Sequence, residues 1–136
     1  MDVGKPDSSD EVQILQIVGV YDADGTLRGE LAYFIGARLG RRHCSLCDIT
    51  HGNVFERRDW QQCRATLEVE LITVHRDEAA PQVLEALNGR FPGVVAITER
   101  GAVVLLGPEE LEACNGSPES LVAGISEAAA ALQLLL

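Results

Sequence analysis

The sequence predicts an α/β fold: one domain in which a mixed sheet packs against helices. Three observations predict it. An apolar, β-branched stretch stands near the start, helix-like and strand-like patterns then alternate, and a strand–turn–strand pattern followed by a helix closes the chain. The 136 residues fit a single domain. With 46% apolar residues the chain can build an ordinary core, and with only 4% aromatics that core must rest on Leu, Val, Ile and Ala.

Taken in order, residues 1–10 are polar and predict a disordered tail, leaving 11–136 as the domain. Val12 to Tyr21 reads VQILQIVGVY, the pattern of a buried strand. Asp22-Ala23-Asp24-Gly25 is turn chemistry. Leu27, Leu31, Phe34, Ile35 and Leu39 recur at helical spacing, and Gly40 suits the end of that helix. Ser45-x-x-Asp48 has the form of a capping box, with Gly52 as a stop. A short helix is predicted over Glu56 to Arg64 and a strand over Leu67 to Val74. Pro81 opens a helix that Asn88-Gly89 closes. Val94 to Thr98 and Ala102 to Leu106 flank Glu99-Arg100-Gly101 as a hairpin. Pro108 begins a short helix, and Ser117-Pro118 caps a last one running to about Leu134. Leu132, Leu134, Leu135 and Leu136 cannot all lie on one face of such a helix, which predicts a subunit contact and a homo-oligomer.

This element order resembles that of the thioredoxin-like sandwich, and Phe91-Pro92-Gly93 before the hairpin resembles that fold's cis-proline position. One departure stands out: thioredoxin-type proteins carry C-x-x-C directly after the first strand, whereas here it follows the first helix.

Charge narrows the partners. A net charge of −10 argues against nucleic acid and anionic membrane surfaces. No apolar run approaches the ~20 residues of a membrane span, and no signal peptide is visible. These features predict a cytoplasmic protein, where thiols stay reduced. The four cysteines then read as catalytic, metal-binding or buried rather than as a disulfide framework. Between Arg38 and Arg64, six arginines face only Asp48, Glu56 and Asp59, so the cysteine motif lies in a locally basic stretch.

That motif is His43-Cys44-Ser45-Leu46-Cys47-Asp48-Ile49-Thr50-His51. With Ser45 as the cap, Cys44 precedes the helix and Cys47 lies in its first turn. Backbone N–H groups, the helix dipole and the arginines all favour a thiolate there. His51 follows Cys47 by one turn, so the two share a face. Three readings stay open. The first is a thiol-based redox or thiol-reactive site of thiol–disulfide oxidoreductase type, with Cys44 the exposed attacker, Cys47 the resolver and His51 the base, acting on a small molecule or a protein thiol. The second is a zinc or iron site through Cys44, Cys47 and His51, with a fourth ligand from His43, Cys63, His75 or Cys114. The third is plain packing in a non-enzymatic interaction module, the reading that Cys63 and Cys114 favour.

The motif resembles an uncharacterised family of small bacterial proteins, sometimes labelled GTPases, that carries C-x-L-C-x-[IL]-T-[HY]-G after Tyr-x-Ala-Asp-Gly. Here these are Cys44 to Gly52 and Tyr21 to Gly25, and the likeness extends through Trp60 and His75-Arg76-Asp77-Glu78. The resemblance implies no established activity. A GTPase would need a phosphate-binding loop ending in Gly-Lys-Ser/Thr, and the only lysine is Lys5.

Asp22-Ala23-Asp24-Gly25-Thr26 resembles the first motif of haloacid-dehalogenase-type phosphatases, which would make Asp22 the nucleophile and Asp24 an acid/base beside Mg²⁺. That family needs a later lysine and a later acidic pair, yet no Lys follows Lys5 and no Asp follows Asp77. The turn reading is therefore preferred. If the first two strands are parallel neighbours, Asp22, Asp24 and His75 gather beyond their carboxyl ends, where open α/β sheets bind ligands.

Overall fold

The computed structural model describes residues 11–22, 44–51 and 56–136. Among them five strands make one mixed sheet: β1 (Val12–Val20), β2 (Leu71–Val74), β3 (Gly93–Thr98), β4 (Gly101–Leu106) and β5 (Leu134–Leu135). The helices are α1 (Ser45–Thr50), α2 (Arg58–Arg64), α3 (Pro81–Leu87), α4 (Pro108–Ala113) and α5 (Pro118–Ala131), with a 3₁₀ turn at Arg76–Glu78. The expected tail over 1–10, the helix over 27–39, Asp24, His43 and Gly52 lie outside the described residues.

The strand order is β2-β1-β3-β4, with β5 beside β1. β1 runs parallel to β2 and antiparallel to β3, and β3–β4 is the expected hairpin. The fold is thus α/β with a single mixed sheet, and Phe91–Pro92 is a cis peptide bond. Among the described residues no helix is long and apolar enough to cross a membrane.

Strand alternation splits the core in two. Ile17 and Tyr21 point to the side that holds Leu46, Ile49, Trp60, Leu111, Leu121 and Ile125, covered by α1, α2, α4 and α5. Val18 and Val20 point to the other side, where Val83 and Leu87 of α3 meet Val95. Gly93 belongs to that second side: a Cβ there would lie 2.3 Å from Leu87 Cδ2, so only glycine lets α3 sit this close. α3 ends as predicted, with Asn88 left-handed at φ 51°.

Three boundaries differ from expectation. β2 begins at Leu71, not Leu67, because Leu67 N–H bonds back to Arg64 O and keeps the chain wound at the end of α2; Leu67 and Val69 still pack on the core. α2 begins at Arg58, since Glu56 forms a bridge with His51. The last helix stops at Ala131. Gln133 turns the chain at φ 60°, and Leu134–Leu135 pair with Val12 and Gln13. β2 reaches only Ile17 to Val20, so the first half of β1 has open ladder positions on that edge, and β5 fills them. The terminal leucines therefore lie on a turn and a strand rather than a helix face: Leu134 is buried, while Leu132 and Leu135 are exposed.

Candidate functional site

α1 lies close against β1 at Gly19. A Cβ there would stand 3.2 Å from Leu46 Cδ2 and 3.4 Å from Thr73 Cγ2. Leu46 and Ile49 anchor the helix in the core, which turns Cys44, Cys47 and Thr50 inward.

The cap is Cys44, one residue earlier than expected. Its Sγ accepts from Cys47 N–H at 3.3 Å, and the Ser45–Asp48 box is replaced by this thiol cap. The Cys47 side chain and the Asp22 backbone N–H also bond Cys44. Together these hold the Cys44 thiol below its ordinary value, with the Cys47 bond the largest cause, while burial and the Asp22 carboxylate act against it. α1 has only six residues, so the local hydrogen bonds, not a helix macrodipole, favour the thiolate. Two of the described arginines of the basic stretch are engaged elsewhere. Arg57 pairs with Asp59 at 2.6 Å and donates to Asp48 O and Gly116 O, and Arg64 pairs with Glu56 at 2.9 Å.

Cys44 was expected to be the exposed thiol. It is 1% exposed and Cys47 8%, because α1 buries Ser45, Leu46 and Cys47 at its start. All four cysteines are free thiols. Burial raises the thiols of Cys63 and Cys114, and Cys114 donates to Glu110 O, which fits packing roles.

A chain of hydroxyls lies beyond the thiols. Tyr21 Oη is 3.0 Å from Thr50 Oγ1, Thr50 Oγ1 is 2.8 Å from His51 Nδ1, and Tyr21 Oη is 3.4 Å from the same nitrogen. Thr73 bonds the Tyr21 hydroxyl as well. Tyr21 is 5% exposed and Thr50 fully buried. Burial pushes the Tyr21 phenol up to about 12. The Tyr21 ring meets His51 and His75 edge-on, with centroids 5.7 and 5.3 Å away.

β1 and β2 are parallel neighbours, so their carboxyl ends share one edge of the site. Tyr21 N–H bonds Val74 O, and Arg76 pairs with Asp22 at 3.3 Å while lying over the Phe91 ring. His75 is occupied by Glu78, which accepts from its backbone N–H at 3.0 Å and sits 2.9 Å from Nδ1. Opposite Val20 stands Gly93, which sets the cis Phe91–Pro92 bond at the same end of the sheet.

Among the described residues no three His, Cys, Asp or Glu side chains are grouped to hold a metal ion. Cys44, Cys47 and His51 thus share the site without converging: His51 is the C-cap in extended backbone, and its ring turns to the hydroxyls of Thr50 and Tyr21. The two other proposed participants, His43 and Asp24, lie outside the described residues. Sequence reasoning missed Tyr21, Thr50 and Arg76. The available signal was a tyrosine ending an otherwise apolar strand, since a buried phenol needs a partner. No protein-family model, curated protein or solved structure matches this chain.

Proposed function

We propose that this is a cytoplasmic thiol-based redox protein in which Cys44 and Cys47 interconvert between dithiol and disulfide. The observation that carries the reading is the set of hydrogen bonds on Cys44 Sγ: two backbone N–H groups and the Cys47 thiol stabilise a thiolate in a buried place. The Cys44 thiolate attacks a disulfide substrate, forming a mixed disulfide and releasing the first thiolate. Cys47 then loses its proton and attacks Cys44 Sγ, which releases the second thiolate and leaves the Cys44–Cys47 disulfide. The dithiol is oxidised and the substrate reduced. Burial of both sulfurs favours a small disulfide over a broad protein surface as the partner.

The test is equilibration of the native protein with glutathione at graded redox ratios, followed by alkylation and peptide mass analysis. A Cys44–Cys47 disulfide should accumulate as the buffer becomes oxidising, and alkylation of Cys44, scaled to its own maximal rate, should reach its midpoint at lower pH than that of a free thiol. If the two cysteines never link, or pair instead with Cys63 or Cys114, the reading is overturned.

A further inference from the structure

Resolution of a mixed disulfide needs the Cys47 proton to leave, and Cys47 is only 8% exposed. His51, the expected base, turns its Nδ1 to Thr50 and Tyr21. Those two hydroxyls form a buried pair. Thr50 is three residues after Cys47 in α1, so both side chains share one helix face. His51 is held in place by its own N–H, which bonds Cys47 O at 2.8 Å. Its half-buried ring is the member of the chain that reaches toward the surface, whereas Tyr21 and Thr50 do not.

We propose that the hydroxyls of Tyr21 and Thr50 relay the Cys47 proton to His51, which makes them positioning residues for the resolving step. This rests on the dithiol reading above. As the Cys47 sulfur bonds Cys44 Sγ, its proton passes to the hydroxyl pair, the pair gives a proton to His51, and the mixed-disulfide bond breaks to release the second thiolate. Both hydroxyls end the step as they began it, and His51 returns the proton to water. Cys47 and Glu56, whose backbone pairs with that of His51, both lie near enough to raise the Tyr21 phenol by their charge. The other titratable group at the phenol ring is His75, held by Glu78.

The experiment uses the full chain and a chromogenic aromatic disulfide, which reports two releases: one when Cys44 attacks and one when Cys47 resolves. Release from the Cys44→Ser/Cys47→Ser protein is subtracted as background from Cys63 and Cys114. Thr50→Val and Tyr21→Phe should slow the second release about tenfold or more without a matching change in the first. Thr50→Ser, which keeps a hydroxyl, should restore it, and added imidazole should restore it in His51→Ala. Two full releases in every variant at the wild-type rate overturn the relay and leave the dithiol reading intact. The relay also falls if Thr50→Ser is as slow as Thr50→Val, because shape rather than the hydroxyl then matters. A wild-type protein that gives no second release overturns both the relay and the dithiol reading.

Discussion

Raising the pH past 10 probes the buried phenol of Tyr21 directly. In the unfolded chain it ionises near 10.0; in the fold, burial holds it to about 12. Its folded value is raised, so the neutral phenol supports the fold fully below pH 10, and that support is lost as pH climbs to about 12. Each pH unit of separation is worth ~1.4 kcal/mol, which makes the whole effect roughly 3 kcal/mol. Within that window, stability should fall by nearly one proton's worth per pH unit on account of Tyr21 alone. Tyr21→Phe removes the titration together with the bonds to Thr50 and Thr73. At neutral pH the variant should be less stable by about 1 kcal/mol, because His51 still satisfies Thr50. The two stability curves should then converge and cross between pH 10 and 12. Urea-unfolding midpoints across this range, taken on reduced protein, measure the difference and cancel the titration of every other group. A wild-type-minus-variant difference that stays flat from about pH 9 to 12 would refute the burial and bonding assigned to Tyr21.

Three other perturbations have defined outcomes. Asp22→Asn removes the charge that opposes the Cys44 thiolate, so alkylation of Cys44 should reach half its maximal rate at lower pH; Arg76→Ala, which strips Asp22 of its ion pair, should move that midpoint up. Gly93→Ala drives a methyl into Leu87 and should cost roughly 1–3 kcal/mol, most of it recovered in the Leu87→Ala background, so strictly additive urea midpoints would contradict the packing. Wild type given Mg²⁺ and an aryl phosphate should show no hydrolysis that Asp22→Asn removes, because Asp22 faces Arg76 rather than a later lysine and acidic pair.

What the sequence revealed was local. The β3–β4 hairpin follows from Glu99-Arg100-Gly101, the start of α5 from Ser117-Pro118, and the end of α3 from Asn88-Gly89; each is fixed by chemistry within a few residues. The closeness of Cys44 to Cys47 was legible because the two lie in one turn. The division of the β1 edge between β2 and β5 was hidden, since it depends on how early β2 begins and not on anything in Leu132 to Leu136. The burial of Cys44 and the union of Tyr21 with Thr50 were hidden for a similar reason. Both require α1 to settle onto β1, a long-range contact that is closest at Gly19 and Leu46.

The central place of β1 also bears on how the molecule is made. During synthesis this nine-residue strand emerges before its partners among the described residues, which arrive only with Leu71, Gly93 and Leu134. Until these strands arrive its backbone lacks the pairing they supply and it carries β-branched side chains on both faces, the features that invite strand addition from another chain. The last of those pairings forms when Leu134 and Leu135 dock beside Val12 and Gln13. A two-residue strand thereby acts as the fastening that takes the earliest part of the sheet out of reach of its neighbours.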